Sequence, residues 1–359
     1  MASTNITPEE VEYIKKIPML FILGKGRSGT SLLQNLLNAH PRITAGPESR
    51  FAVIFYPLFG HIKKWKESDI IDFVNKLYLE PLFNLFWELD KNELTQTLLS
   101  VKDVASYELL CKIVYYQRSK GKDNLIYISD KNPEYVLYLD TIEKIFPEAK
   151  FVHIVREPRD NVYSQIISFK VRNIAFRAYQ WLSYNMIVEE RKKKEPSKYY
   201  TVLYENLVRD TEGTMKLICN FLHIDFEGTM VQNNAPQWLN SHIERRGITD
   251  KDKLIHRNLL KPINTSNVGK WKNKMTPNDQ AITEIITGDY AHKVYGYDID
   301  GNKDNKPVKI SWLVMLKGRC LYYSWVWFSR KKATHFWFNL YYSRLKRKLM
   351  KNIPVWDYF

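Results

Sequence analysis

The stretch Gly24-Lys25-Gly26-Arg27-Ser28-Gly29-Thr30-Ser31 decides the reading of this chain. It follows an apolar run, Met19-Leu20-Phe21-Ile22-Leu23, that reads as a buried strand. It precedes Leu32-Leu33-Gln34-Asn35-Leu36-Leu37, whose leucines recur at helical spacing. Strand, Gly-rich turn and helix together aim backbone N–H groups and a helix N-terminus at an anion. The pattern is G-x-x-x-x-G-T-S, and a loop for a nucleoside triphosphate carries Lys where this chain has Thr30. The loop is shaped for phosphate but lacks the ammonium that reaches β- and γ-phosphates. That favours a nucleotide with a short 5′ anion over ATP or GTP.

A second segment has the same logic. Phe151-Val152-His153-Ile154-Val155 reads as another buried strand and runs into Arg156-Glu157-Pro158-Arg159-Asp160-Asn161-Val162-Tyr163-Ser164. Pro158 suits the first position of a helix, which puts Arg156 at the strand's carboxyl end and Ser164 less than two turns into the helix. A guanidinium and a hydroxyl so placed can grip a second phosphate. Two anion grips, each after a strand, fit a nucleotide phosphorylated at two places.

Together the motifs resemble the PAPS-dependent sulfotransferases, PAPS being 3′-phosphoadenosine-5′-phosphosulfate. The likeness is nearest to the tyrosylprotein sulfotransferases and related bacterial enzymes, and it extends over residues 18–300. It implies PAPS as donor, no metal, and an α/β fold with a P-loop-like parallel sheet flanked by helices on both faces. Arg27, Ser28, Gly29, Thr30 and Ser31 are then the 5′-phosphosulfate loop, and Arg156 and Ser164 the 3′-phosphate grip. Glu48 in Gly46-Pro47-Glu48-Ser49-Arg50 resembles the glutamate of the family's G-E-E-T-R, which makes it the expected general base; the alternative is a solvated glutamate paired with Arg50. Lys131 in Ser129-Asp130-Lys131-Asn132-Pro133 resembles the lysine of N-K-D-P, which serves the leaving oxygen, although here Asp precedes the Lys. Catalysis is thus expected from Glu48, Lys131 and Arg27.

Weaker likenesses extend the donor site. Tyr204 in Leu203-Tyr204-Glu205-Asn206-Leu207 resembles the tyrosine of Y-E-x-L. Lys261-Pro262-Ile263-Asn264 and Gly269-Lys270-Trp271 resemble K-P-V-N and S-K-W, which makes Lys270 a cofactor ligand. Ser241-His242-Ile243-Glu244-Arg245 resembles the start of the preceding loop, and no ligand is assigned within 246–260. Arg159 and Arg172 read as surface charges. His61 is a reserve base, since the small-molecule sulfotransferases use histidine. Asp130 at a strand end has an alternative as a magnesium ligand.

At 359 residues, the chain divides by expectation into a sulfotransferase domain, 1–300, and a helical appendage, 301–359, with the boundary near Asp298–Pro307. Strands are expected near 19–23, 125–128, 151–155 and 199–203. Helices are expected near 30–39, 103–119, 134–146, 159–170, 174–194, 205–222 and 278–292, and this alternation predicts a parallel sheet. Net charge is +15, which favours anionic partners. Residues 305–359 hold twelve Lys or Arg against one acid, Asp357, a net +11 beside fourteen aromatics. Two amphipathic helices, near 309–330 and 334–350, are expected there, either docking on anionic membrane or packing on the main body; nucleic acid is not expected. Three dispersed cysteines give neither a disulfide framework nor metal-ligand spacing. With no signal-peptide pattern and no apolar span, the expected location is cytoplasmic or peripheral to a membrane.

The acceptor is the least defined element. Arg50, Phe51 and Phe55, in an apolar stretch that runs to Trp87, are expected to contact it, which predicts a hydrophobic alcohol such as a sterol or lipid, or a phenol. Two competing functions are a P-loop kinase or NTPase, against which the missing loop lysine argues, and a catalytically inactive, membrane- or nucleic-acid-associated protein with a vestigial nucleotide fold, against which Glu48, Lys131 and Arg156 argue.

Overall fold

This computed structural model describes residues 6–119, 121–169, 173–232, 262–298 and 310–334. Five strands form one all-parallel sheet: β1 Met19–Leu23, β2 Ile43–Ala45, β3 Tyr127–Lys131, β4 Lys150–Val155 and β5 Tyr199–Leu203. Their order is β2-β3-β1-β4-β5. The side chains of β1 alternate between two cores, as the two-residue period of a strand requires. Met19, Phe21 and Leu23 join one cluster, with the helices of residues 51–115. Leu20 and Ile22 join the other, with helices Thr30–Asn38 and Thr211–Leu222. A sheet covered on both faces must read as continuous apolar runs, and β1 does, with all five residues buried.

The order also places the site. The chain leaves β1 towards β2 and leaves β4 towards β5, in opposite directions along the sheet. The crevice beyond the carboxyl ends of β1 and β4 is therefore the switch point where ligands bind in open α/β sheets.

Most expected elements are present, with differences that have physical causes. β2 is three residues long, too short for an alternation signal. β3 runs to Lys131 and not to residue 128, so Lys131 ends a buried strand instead of following it. The helix expected over 205–222 divides at Asp210, whose side chain caps the second piece by accepting from Gly213 N–H. The one expected over 134–146 starts as a 3₁₀ turn, Pro133–Tyr138. An unexpected first helix, Pro8–Lys16, is fixed by a capping box between Thr7 and Glu10.

Near the C-terminus, helix Trp312–Thr334 lies along helix Ile174–Lys194. Gly318 permits the close approach: a Cβ there would stand 2.4 Å from the Cβ of Ala175. The Ser183 and Tyr322 hydroxyls bond to each other, and Tyr138 donates to the Ser329 carbonyl at 2.6 Å. The helix expected over 334–350 and most of the expected boundary lie outside the described residues. Among the described residues, no helix is long and apolar enough to cross a membrane.

Candidate active site

The loop after β1 is built as an anion cradle. Arg27 has φ 71° and Gly29 φ 99°, and the first is a rare backbone for a residue with a side chain. Gly29 caps helix Thr30–Asn38 with no side-chain bond, so the first N–H groups of that helix stay available to a ligand. A side chain at Gly29 would collide with Tyr204, whose ring lies 2.6 Å from where a Cβ would be. Tyr204 is thus the floor on which the loop rests.

The two sequence grips meet in one place. Arg27 Nε donates to Ser164 Oγ at 3.3 Å, and Arg156 donates to the Arg27 carbonyl at 3.0 Å. The Arg156 guanidinium stacks over Tyr204, 4.8 Å from the ring centre, and its buried Nε has no partner among the described residues. Burial, with Arg156 beside it, pulls Arg27 down to about 10. Two guanidiniums held together, Arg156 buried and Arg27 half-buried, one with an N–H unused among the described residues, match a ligand with two phosphates. Lys25 is buried too; its ammonium lies 5.0 Å over the Tyr184 ring and 6.0 Å from Trp325 of the C-terminal helix. Burial, aided by Arg177, lowers it to about 7.

Residues with no assigned role lock this arrangement. Asn161 donates to Ser28 Oγ at 2.9 Å and to the Gly26 carbonyl at 3.1 Å, tying the second helix to the first loop. Asp160 accepts from the backbone N–H groups of Gly269 and Trp271, at 2.6 and 3.0 Å. This brings Lys270 close to the site, where it donates to Asn267 Oδ1 at 2.6 Å while Arg156 donates to the Asn267 carbonyl. Arg159 is not a surface charge, as expected from sequence. It is buried, pairs with Glu157 and Glu284, and stacks 3.6 Å from Trp271. Arg172 and the segment 233–261, with Lys261 and Ser241–Arg245, lie outside the described residues.

On the other side, Glu48 and Lys131 form an ion pair, and Lys131 Nζ also donates to Ser31 Oγ at 3.2 Å. One ammonium thereby joins the loop to the carboxylate. Glu48 pairs with Lys131 and not with Arg50, which is buried against Glu134. The Glu48 backbone is held from several directions. Gln34 donates to the Gly46 carbonyl at 2.8 Å, Tyr135 to the Ser49 carbonyl at 2.7 Å, and Ser49 to Glu80 at 2.9 Å. Asp130 faces away from any metal role, because it accepts from Tyr115, Tyr135 and its neighbour's N–H. Burial pushes its carboxyl up to about 7 against those bonds.

The acceptor contacts expected from sequence are corrected. Phe51 and Phe55 are 0% exposed and pack against Phe83, Trp87, Tyr115 and Phe73 in the core. Arg50 pairs with Glu134 and is also buried. His61 is exposed, after the short helix Tyr56–Phe59.

A family model described as "Sulfotransferase family" matches residues 18–228. The chain is similar to protein-tyrosine sulfotransferase 1 of Danio rerio, 26% identical over 305 residues, 82% of this chain and 76% of that protein. It is also similar to the human protein of that name, 27% identical over 303 residues, covering 82% and 73%. Among solved structures, the sulfotransferase domain of a Synechococcus olefin synthase superposes with a TM-score of 0.53 at 22% identity, over 79% of this chain and 96% of that one. That of a curacin biosynthetic pathway gives 0.52 at 18%, over 77% and 98%. These two share the fold.

Proposed function

The chain belongs to the sulfotransferase family and is a PAPS-dependent sulfotransferase; from that premise we propose that its acceptor is the phenolic hydroxyl of a protein tyrosine and that Glu48 is the base. The observation that carries the catalytic part is the Glu48–Lys131 pair set against Ser31 of the loop. Bound PAPS supplies the sulfuryl group and leaves as adenosine 3′,5′-bisphosphate. Loop N–H groups, with Arg27, Ser28, Gly29, Thr30 and Ser31, hold the 5′ end. Arg156 and Ser164 would hold the 3′-phosphate, and Lys270 would be a further ligand for the cofactor's phosphate. Glu48 takes the proton of the attacking hydroxyl, and Lys131 supplies positive charge where it is needed on the leaving oxygen.

The tyrosine part rests on the relatives, which are named for that acceptor. A net charge of +15 favours anionic partners in general, but residues 305–359 carry +11 of it, so it says little about the acceptor. A sterol or other hydrophobic alcohol loses its main support, because Phe51 and Phe55 belong to the core.

Glu48→Gln tests the base. It keeps the shape and removes the proton acceptor, so kcat is expected to fall ~10²–10⁴-fold with little change in affinity for adenosine 3′,5′-bisphosphate. Turnover near that of the unaltered enzyme would remove Glu48 from the mechanism and make His61 the next residue to vary.

A further inference from the structure

Helix Trp312–Thr334 has two apolar faces and, among the described residues, packs only one of them on the main body. Met315, Gly318, Tyr322, Trp325 and Ser329 form the inner seam against the main body, at the three- and four-residue spacing of one helix face. At about 100° per residue, Trp312, Leu316, Tyr323 and Trp327 fall on the opposite face, with Leu313 beside them. Trp312 is 69% exposed, Trp327 63%, Leu313 57%, Tyr323 56% and Leu316 46%. Among the described residues, nearly half of the exposed large apolar side chains sit on this one helix. A contiguous stripe of this kind marks an interaction surface. The two tryptophans stand at its ends, roughly 22 Å apart at 1.5 Å per residue.

Charge selects the occupant. Lys317, Arg319 and Arg330 are exposed on the same helix and flank the stripe. Residues 305–359 hold twelve cations against one acid. A second copy docking on this face would bring like charge to like charge, whereas an anionic lipid surface is complementary. Aromatic rings at the ends of an apolar stripe, with cations beside it, are what a helix lying in a membrane interface presents.

We propose that the outer face of helix Trp312–Thr334, from Trp312 to Trp327, is a docking surface for an anionic membrane, on which the enzyme lies peripherally with the inner seam still packed. The inner seam reaches the loop after β1 through Trp325 and Lys25, so docking would set the open edge of the site at a fixed height above the lipid.

Co-sedimentation of the full chain with vesicles tests this. Vesicles of phosphatidylcholine mixed with phosphatidylglycerol are expected to bind it, and vesicles of phosphatidylcholine alone to leave it in solution. Trp312→Ala with Trp327→Ala should lower partitioning about tenfold or more, on the scale of burying large apolar side chains. Lys317→Glu with Arg319→Glu should lower it about fivefold per cation and flatten its salt dependence. Unchanged calorimetric binding of adenosine 3′,5′-bisphosphate shows that each variant is folded. Three results would overturn the proposal. The first is a full chain that ignores anionic vesicles at low salt. The second is undiminished partitioning of the tryptophan variant. The third is self-association, seen by sedimentation velocity and lost in that variant, which would give the stripe to a second copy.

Discussion

The two sides of this cleft, assigned above to the donor and the acceptor by proposal, are built by different means. On the donor side, each key group comes from a short motif at the end of a strand: Arg27 and Ser28 after β1, Arg156 after β4, with Asn161 bridging them at 2.9 Å to Ser28. On the acceptor side, Glu48 sits on a loop whose shape is set by Gln34, Glu80 and the neighbours Glu134 and Tyr135, from three separate parts of the chain. Lys131 is where the two sides touch. A motif can specify a phosphate grip locally, because strand end and helix start already fix the backbone. A loop that presents a base has no such frame and is fixed by tertiary bonds.

The comparison can be broken by separating the two sides with substitutions. After Glu48→Gln, the largest effect on turnover is expected from Lys131→Met, which removes charge from the proposed leaving oxygen and frees Glu48 from its partner. A fall in kcat of ~10²–10³-fold is expected, the scale for losing one group that stabilises developing charge. Single-turnover assays with saturating donor would show it, and an effect confined to donor affinity would confine Lys131 to binding. Arg156→Ala acts on one side alone. It should weaken adenosine 3′,5′-bisphosphate about 30- to 1000-fold, or ~2–4 kcal/mol for truncating one partner of a buried charge pair. An analogue without the 3′-phosphate should barely notice; equal losses for both nucleotides would take Arg156 out of the 3′ grip.

The smallest effects concern pH. Lys25 on the donor side is lowered by burial from 10.5 to about 7, so between those values the unfolded chain binds more protons than the folded one. Stability contributed by this site therefore rises with pH from about 7 to about 10.5. Asp130, beneath the acceptor side, is raised by burial from 3.8 to about 7, and in that window the folded chain binds more protons. Its contribution is full below about 3.8 and is lost as pH climbs to about 7. Denaturant unfolding across pH should show Lys25→Met flattening the alkaline window and Asp130→Asn the acidic one. Slopes unchanged by either variant would contradict the burial that sets them.

What could be read in the sequence follows the same division. The loop after β1, the Arg156–Ser164 segment and helix 174–194 were legible because each is a local pattern: an apolar run, a turn residue, a helical period. Glu48 and Lys131 were legible through resemblance of short motifs, but their pairing was not, since residues 83 apart in sequence meet only in the fold. Asn161 and Asp160 carried a faint signal, as polar residues in the first turn of a helix that follows a buried strand. Phe51 and Phe55 were misplaced because an apolar residue after a loop has the same spelling whether it lines a pocket or fills a core. Arg159 was misplaced for the converse reason: its partners Glu284 and Trp271 lie more than a hundred residues on.

The central claim is sulfuryl transfer to a protein tyrosine, and acceptor competition tests it most directly. Radiolabelled PAPS is offered to the enzyme with three acceptors together: a peptide holding one tyrosine among acidic residues, the same peptide with phenylalanine in its place, and a hydrophobic alcohol such as a sterol. The account predicts label on the tyrosine peptide, none on the phenylalanine peptide and little on the alcohol, with incorporation lost in Glu48→Gln. Label that passes to the alcohol in preference to the tyrosine peptide would contradict it.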